Sequence, residues 1–377
     1  MPAENRHYFD WAASAPPDYP RLAHSICGNP SSHHTEGRAA KQALEDARRR
    51  CAAVLNVPAE SIYFTSGGTE SNCIALYSNL FRRGQGRIIS AETEHSSIRE
   101  NIKNLEKLGR STGGIAVDSS GRVSAALLEN ALEKYGDARF AAIMAVNNET
   151  GAITDMHSLQ NVIRKYSKPP VHLHCDLVQA VGKIPVDISL WNIDSGSLSA
   201  HKIGGPLGIG LLYSRKPMEA IYSGGGQEGK IRPGTENTKG ALALAACLES
   251  RAAGGVKTEY ALAARRCKKL TACLKTLDRC TLIPADRNEN DFSPYILQAA
   301  FRDIPGEVMV RSLDDLGFAV SAGSACSSST AKRPVLAAMG VDEKTSLESI
   351  RISQGWTTTE EEIDLLFAAI TEVLKYL

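Results

Sequence analysis

Leu44, Ala47, Cys51, Val54 and Leu55 recur at three- and four-residue intervals, which predicts an amphipathic helix over residues 36–56. Short apolar runs bounded by turn residues follow: SIYFTSG, RIISAE, FAAIMAV, VHLHCD, DSGSLS and GIGLLYS. Each has the length and punctuation of a strand. Helical patterns over 69–83, 124–135 and 157–166 separate several of them. Strands alternating with helices imply a mostly parallel sheet covered on both faces. The pattern stops at a glycine-rich loop, SGGGQEGKIRPGTEN, and a long helical region is predicted from about 236 to 277.

The last third changes character. ILQAAF and FAVSAG read as strands, a loop runs from 323 to 334, and the chain closes on a helix. Thr359 with Glu362 forms a capping box for it, and Ile363, Leu366, Phe367, Ile370, Val373, Leu374 and Leu377 form its apolar face. With 377 residues, two domains are expected. The boundaries read as a large domain over 14–250 and a smaller α+β domain over 251–377, with residues 1–13 packing on the smaller one.

Composition narrows the function. A hydrophobic share of 43% and a charged share of 23% are those of a soluble globular protein. With 43 basic and 42 acidic residues, nothing favours direct binding to nucleic acid or to an anionic membrane. No apolar run approaches the roughly 20 residues that span a bilayer, and the first residues lack a signal-peptide layout, so a cytoplasmic protein is expected. The nine cysteines include no CxxC pair, so no metal site is expected. Cys267, Cys273 and Cys280 fall in a helical stretch and read as buried or half-buried apolar groups. Cys175, beside His172 and His174, reads as part of a strand.

Candidate chemistry gathers at strand ends, where open α/β sheets bind ligands. TSGGT, residues 65–69, follows one strand and opens a helix, a layout that cups a phosphate with free backbone N–H groups. Asp176, with Gln179 three residues on, follows another strand. Lys202 lies in SLSAHKIGGPLGIG between polar neighbours and a glycine turn. An amine held between strands suits Schiff-base chemistry, above all with pyridoxal phosphate, and a carboxylate opposite the pyridine nitrogen would keep that ring an electron sink.

These residues lie in stretches that resemble the cysteine desulfurases of NifS/IscS type, fold-type I pyridoxal phosphate enzymes related to the class V aminotransferases. The stretches are YFDWAASAPP, GNPSSHH, YFTSGGTESN, TEHSSI, VNNETGA, CDLVQAVGK, SLSAHKIGGPLGIG, RPGTEN, SAGSACSSS and SIRISQGWTTTEEEID, in the family's order along essentially the whole chain. The resemblance implies a fold-type I transferase: a large domain with a mostly parallel sheet and a smaller α+β domain that carries the catalytic cysteine loop. It implies that Lys202 binds the cofactor and later moves the proton, and that His95 stacks on its ring. Asp176 would pair with the ring nitrogen and Gln179 with the phenolic oxygen. Gly68, Thr69, Ser199 and His201 would hold the phosphate. Thr235 would reach the phosphate of a neighbouring subunit, which implies a homodimer. Asn148 and Arg351 would hold the carboxylate of the substrate, L-cysteine. Cys326, on a loop of small residues, would be the nucleophile that takes the sulfur as a persulfide and passes it to an acceptor protein, an iron–sulfur scaffold or a tRNA-thiolation protein.

Three departures stand out. Ala322 replaces the more usual second serine of the cysteine loop, and Gln227 stands where the GGGxE loop usually has histidine. The chain ends at Leu377, directly after the capped helix, where relatives that feed an iron–sulfur scaffold often carry a further docking tail, so scaffold docking is not implied. A selenocysteine lyase or a related class V aminotransferase is the rival enzyme. A sulfur-carrier or regulatory subunit is the non-catalytic alternative, against which Lys202, Asp176, His95 and Arg351 together argue.

Overall fold

A computed structural model describes residues 6–19, 28–81, 86–166, 170–323 and 333–377. Among them, twelve strands form three sheets. In chain order these are β1 (His7–Tyr8), β2 (Ile62–Thr65), β3 (Arg87–Ala91), β4 (Thr112–Ile115), β5 (Ala138–Met144), β6 (His172–Asp176), β7 (Ser195–Ser199), β8 (Gly210–Ser214), β9 (Cys280–Ile283), β10 (Ile296–Phe301), β11 (Phe318–Ala319) and β12 (Ser349–Ser353). The seven-stranded sheet has the order β2-β8-β7-β6-β5-β3-β4. Pairing is parallel from β4 through β3, β5 and β6 to β7, whereas β8 runs antiparallel to both of its neighbours. The C-terminal ends of β2, β3, β5, β6 and β7 therefore share one edge of the sheet.

The apolar patterns place the helices as expected near the start of the chain. Helix α1 spans Thr35–Leu55, and its Leu44, Ala47, Cys51 and Leu55 lie in the main core beneath the sheet. It ends at Asn56, whose left-handed backbone (φ 53°) turns the chain out of the helix. Helix α2 (Gly68–Tyr77) and helix α3 (Ser96–Lys107) contribute Ile74, Leu76, Ile98 and Leu105 to a second cluster with Ile88 and Phe140. The long helical region expected over about 236–277 consists of two helices, Thr238–Ala253 and Val256–Leu274. The break falls at Gly254-Gly255, where Gly255 adopts φ 73°, a conformation that a helix cannot continue through.

The remaining strands build a separate core. β10 lies between β9 and β12 in an antiparallel three-stranded sheet. Leu297, Phe301, Ile350 and Ile352 from it meet Ile363, Leu366 and Ile370 of the closing helix, Glu360–Tyr376. That helix begins with the capping box, with Glu362 N–H donating to Thr359 Oγ1 at 3.1 Å and Thr359 N–H to Glu362 Oε2 at 2.8 Å. Cys267 and Cys273 are helical, but Cys280 opens β9, a correction to the helical reading, and is half-buried. The N-terminal segment joins the same core: β1 pairs in parallel with β11, and Phe9 is fully buried. Among the described residues no helix is long and apolar enough to cross a membrane.

Candidate active site

The shared strand edge opens into a cavity of about 300 Å³, within the range of small-molecule sites. Gly68, Thr69, His95, Asn148, Asp176, Gln179, Ser199, His201, Lys202 and Arg351 all line it. Thus ten of the residues singled out from the sequence meet in one place, although they span 284 positions from Gly68 to Arg351 if counted inclusively. Thr235 does not line the cavity and is exposed. Cys326 lies outside the described residues.

Each side chain is placed by a strand end. Asp176 closes β6, and its Oδ1 accepts from Val178 N–H at 2.9 Å while Oδ2 accepts from Asn72 Nδ2 at 2.8 Å. Both donors are neutral, and among the described residues no ion pair holds the Asp176 carboxylate. Asn72 reaches it from α2 and also donates to Ser97 Oγ at 2.9 Å. With both amide hydrogens of Asn72 used, Ser97 Oγ–H donates to His95 Nδ1 at 2.8 Å. The same nitrogen accepts from Ser97 N–H at 3.1 Å, which makes His95 the cap of α3. His95 therefore carries its ring proton on Nε2 when neutral, and burial favours that neutral form by lowering its pKa.

His174 supports this arrangement from beneath. Its Nε2 donates to Asn72 Oδ1 at 2.9 Å, and its Nδ1 lies 2.8 Å from Ser195 Oγ. Burial, with His172 beside it, pulls its pKa down to about 3, so it is a neutral hydrogen-bonding group at physiological pH. Neither Asn72 nor His174 was singled out from the sequence. Asn72 belongs to the TSGGTESN stretch, but its partners lie 25 to 104 residues away, and local spacing carries no trace of them. Replacing Asn72 with leucine strands Asp176, Ser97 and His174 together. The cofactor-free protein is then expected to lose about 1–3 kcal/mol in urea unfolding, and a loss below about 0.5 kcal/mol, the range of neutral surface changes, would contradict the network.

Lys202 sits in a short 3-10 turn, Ala200–Lys202, between β7 and β8. Its Nζ donates to the Ala12 and Ala13 carbonyls at 2.6 and 2.7 Å. Burial, then Arg351 nearby, pulls the amine down to about 8, against the opposing pull of Asp10 and Asp176. A minor fraction of the amine, roughly a tenth at pH 7, is thus unprotonated, the state in which it is a nucleophile. His201 is pushed down to about 4 by burial and by Lys202 and Lys183.

One end of the cavity is built for an anion. The N-terminus of α2 has no side-chain cap, and Gly68 and Thr69 there face the cavity beside Ser199 and His201. Glycine is needed at 68, since a Cβ would come within 2.5 Å of Val178 Cγ2. The other end offers Arg351, whose guanidinium donates to the Asn148 carbonyl at 3.0 Å and pairs with Asp10 at 2.7 Å. Arg351 Nε and Asn148 Oδ1 are buried without hydrogen-bond partners among the described residues. Such groups are costly unless a ligand meets them. The donor set therefore fits a ligand with a dianionic group at the α2 end, a protonated ring nitrogen at Asp176 and a carbonyl within reach of Lys202.

The family model described as Aminotransferase class-V matches residues 19–366. The chain belongs to the class V aminotransferases. Within that family it is 34% identical to a protein of Shewanella oneidensis named cysteine desulfurase IscS, over 98% of this chain and 93% of the relative. A solved NifS-like protein superposes with a TM-score of 0.90 at 33% identity, covering 99% of this chain and 100% of the other. A structure titled SspA in complex with cysteine superposes with a TM-score of 0.78 at 27% identity, covering 92% and 98% of the two chains. The chain thus falls in the NifS/IscS branch of the class V aminotransferases, and it has their fold-type I architecture.

Proposed function

We propose that this protein is a cysteine desulfurase that uses pyridoxal phosphate to take sulfur from L-cysteine, giving L-alanine and a persulfide on Cys326. The observation that carries this reading is the convergence of Lys202, Asp176, His95 and an anion-binding helix end on one cavity, in a chain of the NifS/IscS branch. The phosphate would lie at Gly68, Thr69, Ser199 and His201, and the phenolic oxygen would face Gln179. Asp176 would hold the ring nitrogen charged, and the His95 ring would cover the face of the cofactor.

When bound, the cofactor supplies an electron sink for the pair left when the substrate loses its α-proton. The chain's own groups do the rest. Arg351 and Asn148 would orient cysteine by its carboxylate, which gives the unpartnered Arg351 Nε–H an acceptor. Lys202, once released, is an amine close enough to its neutral form to move the α-proton. His95, with its proton on Nε2, would exchange a proton with the substrate thiol. The Cys326 thiolate forms a bond to the substrate sulfur as the carbon–sulfur bond breaks. The electron pair stays with the carbon, which is protonated and leaves as alanine.

The exposed Thr235 would complete the phosphate site of a second copy, so the active form would be a homodimer in the cytoplasm. On the same glycine-rich loop Gln227 Oε1 accepts from Gly234 N–H at 3.1 Å, which stiffens the loop without histidine. The persulfide would pass to an acceptor protein such as an iron–sulfur scaffold or a tRNA-thiolation protein. A large domain over 14–250 and a smaller one over 251–377 would frame the cavity.

The test is to load cofactor-free protein with pyridoxal phosphate and add cysteine. Alanine and sulfur should appear in equal amounts in the presence of a thiol acceptor. The loading rate should rise about tenfold per pH unit below pH 8 and level off above it, because only the unprotonated Lys202 amine reacts. A protein that binds no cofactor, or that loads equally fast at pH 6 and pH 9, would contradict the assignment.

A further inference from the structure

Lys183 has no place in the mechanism and does not line the cavity, yet it is an amine only 2% exposed. The turn after β6 puts it four residues beyond Gln179, and its Nζ donates to Gln179 Oε1 at 2.6 Å. Gln179 Nε2 donates in turn to the Ala12 carbonyl at 2.8 Å. That carbonyl also accepts from Lys202 Nζ at 2.6 Å. One amide and one carbonyl therefore join two buried amines.

The charges around the pair are few and unevenly shared. Arg351 approaches from β12 and already pairs with Asp10 of the N-terminal segment. Asp176, at the end of β6, is held by neutral donors. Glu94, buried beside β5, is driven towards its neutral acid by burial and by Asp176. His95 and His201 are both pushed towards neutral forms by burial. Among the described residues no carboxylate forms an ion pair with Lys183; its partner is an amide. With both lysines protonated, this buried cluster would hold three cations, counting Arg351, against Asp10 and Asp176.

We propose that Lys183 is a positioning residue for Lys202, joined to it through Gln179 and the Ala12 carbonyl, and that the two amines share a single proton in the neutral range. Burial, with Lys202 and Arg351 beside it, brings Lys183 to about 7, close to the value of about 8 for Lys202. Two sites so near in proton affinity and so close in space titrate as a pair. Lys183 thus gives the proton a second residence and leaves Lys202 free as a nucleophile for part of the time. The inference deepens the proposed function by naming what tunes its reactive amine, and its role in catalysis rests on that reading.

The experiment uses full-length, cofactor-free protein and needs no turnover. Acetylation of Lys202 by acetic anhydride, relative to a peptide amine in the same tube, is followed by mass spectrometry across pH. Lys183→Met removes the charge, so the Lys202 midpoint should rise by about 0.5–1 pH unit and the curve should narrow to one proton. Lys183→Arg fixes the charge, so the midpoint should fall by a similar amount. Packing damage alone would move both variants the same way, and that result, or two unchanged midpoints, would overturn the proposal. If the arginine variant does not fold, Lys183→Gln replaces it. The glutamine keeps a donor towards Gln179 without charge, so its midpoint should rise as methionine's does and its curve should narrow to one proton; a rise without that narrowing, the mark of packing damage, or an unchanged midpoint would overturn the proposal. Because no cofactor is present, failure here leaves the desulfurase reading standing, and failure of cofactor loading leaves this measurement valid.

Discussion

Lys202→Ala is expected to reduce sulfur release from cysteine by at least about 10³-fold, the middle of the range for loss of a positioned proton-transfer group. The protein should still fold. The two carbonyls of Ala12 and Ala13 lose a donor, but they border a cavity that water can enter. Cofactor should still bind through the α2 end and Asp176, though without the covalent bond, so that borohydride no longer fixes it to the chain. Adding a small primary amine should restore part of the cofactor's spectral change but not the turnover, because a free amine is not held against the α-carbon. Activity within tenfold of the unaltered protein would remove Lys202 from the centre of the chemistry.

Cys326→Ser separates the cofactor's chemistry from that of sulfur. The variant should bind pyridoxal phosphate and respond spectrally to cysteine, since the groups proposed to hold the cofactor, Lys202, Asp176 and the α2 end, are unchanged. Sulfur release should fall by at least about 10³-fold, the scale on which loss of an enzyme nucleophile is felt. No persulfide should be found by mass spectrometry, because a serine hydroxyl does not accept sulfur from a thiol. Selenocysteine is the informative control: its carbon–selenium bond is weaker and its selenolate a better leaving group. The variant should therefore keep part of its selenium release. Persulfide on a different cysteine, together with normal sulfur release, would overturn the assignment. Among the described residues, Cys51, Cys175 and Cys267 are poor substitutes, because burial pushes each thiol towards its protonated form.

Strands with strong apolar runs were legible in the sequence. FAAIMAV and VHLHCD became β5 and β6 at the centre of the sheet, where both faces are covered. β4 was not legible, because its residues TGGI hold two glycines and one large apolar side chain. It is a strand because β3 supplies its hydrogen bonds on the edge of the sheet. The site divides in a similar way. Lys202, Asp176 and the TSGGT turn announce themselves through residue types that have few uses at strand ends. Asn72 and Lys183 do not, since their meaning lies in partners such as Asp176 and the Ala12 carbonyl, which folding alone brings near.

The N-terminal segment has a bearing on how the chain reaches activity as it leaves the ribosome. Phe9 O accepts from Ser353 N–H at 2.8 Å, and Asp10 pairs with Arg351. These contacts bridge more than 340 positions (341 for Asp10 and Arg351), and β1 itself waits for β11 at Phe318–Ala319, so the segment is not fully held until β12 has emerged. The carbonyls of Ala12 and Ala13 that hold Lys202 follow directly on that strand. A nascent chain can therefore complete its seven-stranded sheet while its reactive amine still lacks its final anchors. Competence for chemistry is tied to the emergence of β12, and a chain that has not yet reached Arg351 should release no sulfur from cysteine.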